Sequence, residues 1–174
     1  MHQKRILVTG MSGLIGGIVR RDLQDTYELR ALNRTHVPEV TCFKADISSM
    51  NAARPAFEGV DTVIHLSAAV GAGIRWKDAL NTNIVGTYNA YEASRLEGVK
   101  RFIFASTIWV NDVGMLVSKD QRDYPYHLLA QGRHEEAPTP WPMISHETSI
   151  RPVALYAATK VWGEALGRSY SDNY

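Results

Sequence analysis

Two constellations in this 174-residue sequence could do chemistry. The first is Thr9-Gly10-Met11-Ser12-Gly13-Leu14-Ile15-Gly16, which directly follows the apolar run Ile6-Leu7-Val8. A buried strand that turns into a helix through glycines lets backbone N–H groups approach a phosphate closely. The helix then aims its positive dipole end at the same point. A turn needed only for tight strand–helix packing is the plainer alternative. Regular spacing of Gly10, Gly13 and Gly16 at the start of the first strand–helix unit favours the anion cradle. The second constellation is Tyr156 and Lys160, four apart on a predicted helix and therefore on one face, one turn from each other. A free phenol has a pKa of about 10, and bringing it to about 7 takes roughly 4 kcal/mol of preferential phenolate stabilisation. A nearby ammonium works in that direction. Tyr156 could then take a proton from a hydroxyl, or return one to a carbonyl.

The elements that must position these groups alternate along the chain. Arg5 to Val8 reads as a buried strand, and Gly13 to Leu23 as a helix with Leu14, Ile15, Ile18, Val19 and Leu23 at helical spacing. Tyr27 to Leu32, ending at Asn33-Arg34, and Val40 to Lys44 read as the second and third strands. A short helix follows around Asn51 to Phe57, then a fourth strand at Val60 to Leu66. A long amphipathic helix runs from Trp76 to Leu96 with Leu80, Ile84, Tyr88 and Tyr91 on it. Arg101 to Ala105 is the fifth strand, and the last helix runs from Ala154 to Ser171. Strands alternating with helices imply an α/β fold with a parallel sheet. The stretch from Thr107 to Pro152 breaks the alternation, with Tyr124-Pro125-Tyr126-His127 and a Pro-rich run at 137–142 but no sustained period. So long an irregular segment is either a functional lid or a disordered insertion.

Bulk properties narrow the function classes. One domain is expected at this length, with a substantial core. The net charge is +1 with no long run of like charge, so there is no electrostatic footprint for nucleic acid. The single Cys42 excludes an intrachain disulfide framework and argues against a cysteine-based metal site, and no metal is expected. No stretch approaches the roughly 18 apolar residues of a membrane span. Lys4-Arg5 leads straight into the first strand, so no signal peptide is read and a cytoplasmic protein is expected.

Several short motifs, taken in order, resemble the extended short-chain dehydrogenase/reductase family, in its NAD(P)-dependent epimerase/dehydratase branch. They are the glycine turn; Asp46-Ile47 after the third strand; His65-Leu66-Ser67-Ala68-Ala69 at the end of the fourth; and Asn83-Ile84-Val85-Gly86-Thr87 in the long helix. Phe104-Ala105-Ser106-Thr107 ends the fifth strand, and Glu147 to Pro152 leads into Tyr156-Ala157-Ala158-Thr159-Lys160. The resemblance implies a Rossmann-type doubly wound parallel sheet over 1–174, with a long insertion at about 111–150. It further implies that the fold is C-terminally incomplete, lacking the region that supplies most substrate contacts. Either the sequence is a fragment of a longer protein or a partner covers the gap.

By the same resemblance Thr107, Tyr156 and Lys160 are the catalytic residues. Thr107 hydrogen-bonds the reacting oxygen, and Lys160 also holds the nicotinamide ribose. Because side chains alternate along a strand, Ser106 is left as a plain strand-end hydroxyl. The implied cofactor set is Gly10, Ser12, Gly13, Leu14, Ile15 and Gly16; Asn33 and Arg34; Asp46 and Ile47; Leu66, Ser67 and Ala68; Asn83; and Tyr156 with Lys160. A carboxylate at the end of the second strand normally accepts from the NAD ribose hydroxyls. Here Asn33 and Arg34 stand instead, so the cofactor is NAD or NADP with a lean towards NADP, a guanidinium being able to pair with a 2′-phosphate. The alternative has Asn33 bonding the NAD ribose and Arg34 solvated.

The implied activity is hydride transfer on a sugar or sugar-nucleotide with Tyr156 as acid/base, whether the net result is oxidation, epimerisation or dehydration. A truncated or regulatory NAD(P)-binding module without turnover is the alternative. A homodimer is expected through the helices at 76–96 and 154–171, the commonest oligomer geometry being two-fold. Departures from the family pattern are a longer interval from Thr107 to Tyr156 and Asn111 where a tyrosine is usual. His65 is read as a satisfied core histidine and His134-Glu135-Glu136 as solvated loop. Trp76, Trp109, Trp141 and Trp162 are read as packing residues, with Trp141 and Tyr126 the two to test for substrate contact.

Overall fold

The computed structural model describes residues 3–71, 73–111, 125–140 and 143–174. Five parallel strands form one sheet: β1 (Arg5–Thr9), β2 (Glu28–Asn33), β3 (Thr41–Lys44), β4 (Thr62–His65) and β5 (Arg101–Phe104), in the order β3-β2-β1-β4-β5. Alternation on β1 explains why its run is apolar throughout. Leu7 joins a cluster on one face with Phe57, Val63, Ala90 and Ala93, while Ile6 and Val8 join Met11, Leu29 and Ala31 on the other. A strand covered on both faces has no room for a polar side. The chain lays β2 and β3 to one side of β1, then returns to lay β4 and β5 on the other. Strand order therefore reverses between β1 and β4, and open α/β sheets bind ligands at the carboxyl ends of the strands at such a point.

The expected strands lie where the sequence puts them, to within two residues. Two helices differ in which face they bury. On α1 (Leu14–Leu23), Val19 and Leu23 pack under the sheet, whereas Leu14, Ile15 and Ile18 are exposed. The helix expected over 76–96 is continuous but not uniform. It passes through α3 (Trp76–Asp78), a π-helical stretch at Ala79–Val85, and α4 (Gly86–Leu96). Its buried face is mostly small or polar, with Ala79, Asn83, Gly86, Thr87, Asn89, Ala90, Ala93 and Ser94; of the four expected apolar residues Tyr91 is buried, against Phe102, and Tyr88 is exposed. Close approach to the sheet is the reason. A Cβ at Gly86 would lie 2.5 Å from the Ile47 side chain, so a large apolar residue cannot face inward there.

A short helix α2 (Met50–Ala53) runs on into a 3-10 turn at Arg54–Phe57. After β5 come a 3-10 turn (Ile108–Val110), α5 (Tyr126–Ala130), a second 3-10 turn (His134–Glu136) and the long α6 (Leu155–Asn173). The segment expected to be irregular therefore has local order, with Val110 and Leu128 buried. His134, Glu135 and Glu136 are exposed, and Trp141 lies outside the described residues.

Candidate active site

The three glycines of the first turn each meet a separate requirement. Gly10 adopts φ +74°, and a Cβ on it would lie 2.9 Å from the Ser67 amide nitrogen. Only glycine takes that conformation freely in so tight a space. Gly13 precedes the first turn of α1, where a Cβ would press to 3.3 Å on the Gly10 carbonyl oxygen. Gly16 seats the helix on the turn, since a Cβ there would fall 2.5 Å from Met11 Cα and 2.6 Å from its oxygen. Asn33, at the end of β2, locks the turn from the side. Its oxygen accepts from the Met11 amide at 2.8 Å, and its nitrogen donates to Ser12 Oγ at 2.6 Å.

A cavity of about 610 Å³ opens over this turn, in the size range of small-molecule and cofactor sites. Gly10, Ser12, Gly13 and Gly16 floor it, and Leu14 (85% exposed) and Ile15 (59% exposed) give it an apolar lip. Asn33, Arg34, Asp46 and Ile47 line one end; Leu66, Ser67 and Ala68 line the side; Tyr156 and Lys160 close the other end. Asp46 Oδ1 accepts from the Ser48 amide at 2.9 Å and from Ser48 Oγ at 2.7 Å. These bonds, helped by the Arg34 charge, hold its carboxyl below the usual range, so it is anionic at neutral pH. One end of the cleft thus carries a fixed negative charge beside a guanidinium.

The other end carries a buried cation. Lys160 is 3% exposed on α6, with Nζ donating to the Ala105 carbonyl at 2.6 Å and standing 4.6 Å from the Phe104 ring centre. Burial pulls its pKa down to about 8. Nζ lies 5.8 Å from the Tyr156 ring centre. Burial pushes the Tyr156 phenol up from its ordinary value. The lowering expected from the ammonium is therefore outweighed in the protein alone. Next to Lys160, His65 is wholly buried, with Nδ1 against Thr9 Oγ1 at 2.8 Å and Nε2 against Thr87 Oγ1 at 3.1 Å. Burial, reinforced by the Lys160 charge, holds its pKa down at about 3, so it is a neutral core residue.

Two of the expected site residues sit elsewhere. Asn83 does not line the cavity. It is buried in the π-helical stretch, accepting from the Ala69 amide at 2.7 Å and donating to the Ala69 carbonyl at 2.9 Å and Thr159 Oγ1 at 3.0 Å. Its task is to tie the β4 loop and α6 together, which the widened helical turn permits by bringing the side chain inward. Thr107 lines a neighbouring cavity of about 830 Å³ and accepts a long bond of 3.4 Å from the Trp109 amide. Ser106, expected to be a plain strand-end hydroxyl, lines the main cavity and the neighbouring one and donates to Glu164 of α6. Trp109, expected to pack, is 40% exposed and shares a small cavity of about 230 Å³ with Tyr156, Gly71 and Ala154. Glu164 was missed by the sequence reading, although it falls four residues after Lys160 and so on the same face. Among the described residues no group of three or more His, Cys, Asp or Glu could hold a metal ion.

Comparison with known proteins identifies the scaffold. L-arabinose 1-dehydrogenase (NAD(P)(+)) of Haloferax volcanii is 29% identical over 170 residues, covering 98% of this chain and 62% of that protein. The NAD-dependent glucose-6-phosphate dehydrogenase of the same organism is 30% identical, covering 97% and 63%. The crystal structure of uronate dehydrogenase from Agrobacterium tumefaciens superposes with a TM-score of 0.75 at 30% identity, over 100% of this chain and 58% of that one. A mutant of that enzyme complexed with NAD gives 0.75 at 29% identity, over 99% and 58%. The chain thus spans about three fifths of the length of the relatives it matches. Its sheet is Rossmann-like, as theirs is. The family described as "NAD dependent epimerase/dehydratase family" matches residues 6–174, and this chain belongs to it.

Proposed function

We propose that this chain binds NAD or NADP along the cleft and uses Tyr156 as acid/base on a sugar or sugar-nucleotide hydroxyl, in an oxidation, epimerisation or dehydration. One observation carries the reading: Tyr156 and Lys160 line the same cavity as the glycine turn. What the cleft offers suits a dinucleotide. Glycines leave backbone uncovered at the amino end of α1, where a diphosphate is favoured. Exposed Leu14 and Ile15 offer apolar cover, and Asp46 supplies a fixed acceptor at the far end. When bound, the nicotinamide supplies the hydride acceptor or donor.

Tyr156 takes the substrate proton as the substrate is oxidised and returns it in the reverse direction. Its phenol is raised by burial, so a positive charge must come close before it can work near neutral pH. Lys160 supplies one such charge on the face it shares with Tyr156, and it would also hold the ribose. Thr107, beside the cleft, would hydrogen-bond the same substrate oxygen. Arg34 lines the cavity where β2 ends without a carboxylate, which supports acceptance of NADP as well as NAD.

Exposed Trp76, Tyr88 and Leu96 on the helical run from α3 to α4 support a two-fold homodimer through that run and α6. Among the described residues no helix is long and apolar enough to cross a membrane, and we place the protein in the cytoplasm. The test is incubation with NAD+ or NADP+ and a panel of uronates, aldoses and sugar nucleotides, followed by reduced-cofactor absorbance and product analysis. Turnover in the wild type that is lost in Tyr156→Phe, with cofactor affinity kept, is the expected result. Tight cofactor binding without turnover of any sugar would leave a nucleotide-binding module instead.

A further inference from the structure

The face of α6 that carries Tyr156 and Lys160 continues one turn further to Glu164. Two consecutive residues at the end of β5 receive these side chains. Lys160 donates to the Ala105 carbonyl, and Ser106 Oγ donates to Glu164. Between them Gly163 lets the helix rest directly on Phe104, whose ring would lie 2.4 Å from a Cβ there. By contrast, the amino end of α6 lacks a side-chain cap, although Asn83 holds it through Thr159. Its N-cap is Ala154, which has no side chain able to cap, and among the described residues no hydrogen bond of the Tyr156 hydroxyl is present. Where the phenol sits therefore depends on how the whole helix is attached, by the Asn83–Thr159 bond near its start and by Lys160 and Glu164 further along.

We propose that Glu164 and Ser106 form a positioning pair that sets the relation between Tyr156 and Thr107. The idea deepens the proposed function, since it rests on the roles given there to those two residues. Glu164 acts on Tyr156 by fixing how far α6 slides along β5. Through Ser106 it also acts on Thr107. Thr107 has extended dihedrals (φ −152°, ψ 148°), so its side chain projects opposite to that of Ser106. Ser106, Glu164 and Thr107 all line the neighbouring cavity, so holding the Ser106 hydroxyl against α6 fixes the backbone from which Thr107 projects. The Ser106–Glu164 bond then helps to place both partners of the reacting oxygen. Ser106 lines the main cavity, the Thr107 cavity and the groove along β5, which places the bond at the junction of all three.

Five proteins test this: wild type, Glu164→Ala, Glu164→Gln, Ser106→Ala and the double variant of Glu164→Ala with Ser106→Ala. Tyr156→Phe serves as the reference that isolates the Tyr156 phenolate in ultraviolet titration. The first readout needs neither cofactor nor substrate. In wild type Tyr156 titrates above the ordinary phenol value of about 10, and loss of the bond lets the phenol move into solvent and titrate closer to it. Glu164→Ala and Ser106→Ala shift it down alike, and their double variant no further than either. Glu164→Gln, whose amide oxygen still accepts from Ser106, keeps the wild-type value. The second readout is turnover with any sugar the wild type oxidises. There Glu164→Ala lowers kcat by about tenfold or more, as misplacement of reacting groups does, while the NAD+ dissociation constant stays within about twofold. Rescue by Gln excludes a role for charge alone. An unchanged Tyr156 titration in Glu164→Ala overturns the proposal, and so does an equal shift in Glu164→Gln. A wild type that binds no NAD+ or NADP+ refutes the proposed function, and the first readout still decides the pair.

Discussion

Gly16 and Gly17 are neighbours on α1, and replacing each in turn by alanine moves stability in opposite directions. Alanine in a helix is favoured over glycine by about 0.5–1 kcal/mol. At Gly17, which is exposed, no atom lies within 4 Å of the added Cβ, so the variant keeps that whole gain. At Gly16 the same Cβ would lie 2.5 Å from Met11 Cα, 2.6 Å from its oxygen and 2.7 Å from the Gly10 oxygen. All three atoms are backbone, and Asn33 pins the turn through Met11, so neither side can give cheaply. Overpacking costs about 1–3 kcal/mol, and contact with fixed backbone belongs at the upper end. The net loss is then about 2 kcal/mol. For a chain of this length each kcal/mol moves Tm by roughly 2–4 °C. Circular dichroism melts and urea titrations should therefore show Gly17→Ala about 1–4 °C above wild type and Gly16→Ala about 4–8 °C below it. A Gly16→Ala protein as stable as wild type, or two variants shifting together, would refute the reading of Gly16 as the seat of α1.

Three further outcomes follow from single groups. Below about pH 6.5 the unfolded chain protonates His65 while the folded one, with its pKa held at about 3, does not. Stability then falls by about 1.4 kcal/mol per pH unit on acidification from this residue, and His65→Asn should lose that slope in urea midpoints compared at about pH 6 and 5. Lys160, whose pKa is drawn down from 10.5 to about 8, opposes folding by about 3 kcal/mol below pH 8. Lys160→Met should therefore be the more stable protein at neutral pH, with the gap closing as the pH rises above about 8. Arg34→Ala should weaken NADP binding by about tenfold and leave NAD within about twofold in paired titrations, whereas equal effects on both would remove the phosphate-pairing role.

What was legible in the sequence was what depends on neighbours along the chain. Gly13 and Gly16 are required by backbone atoms of the turn itself and Gly10 by its positive φ, so the three glycines declared the turn, although Gly10 also makes room for Ser67. Tyr156 and Lys160 share a face by helical geometry alone. The unbroken apolar run of β1 reported a strand covered on both sides. Hidden were the features that need a distant partner. Asn83 looks like a cofactor residue until the Ala69 backbone and Thr159 are seen to occupy its amide. Asn33 looks free to meet a ribose, but it is also the brace of the turn 22 residues before it. The buried face of the run from α3 to α4 was only partly read, with Tyr91 buried as expected but Tyr88 exposed, because large apolar residues mark burial only where there is space. Against Ile47 there is none, and the small residues went inward.

The same partner logic bears on why an ammonium sits in so dry a place. A methionine at position 160 would pack without the desolvation penalty, so stability alone does not select lysine there. Its one hydrogen bond runs to a neutral carbonyl, and among the described residues no carboxylate lies within ion-pair distance. Phe104 offers its ring face, which relieves only part of the cost. His65 stays neutral because burial penalises its charged form, and a second positive charge there would also meet Lys160 in a low-dielectric interior. The cleft therefore holds an anion at the Asp46 end and an unneutralised cation at the Tyr156 end. Such a cation is stabilised by electron-rich oxygen arriving from outside or by a phenolate forming on its own helix face. Those are the two species that acid/base chemistry at Tyr156 would bring to it, so the penalty borne in the free protein becomes a driving force once the site is engaged.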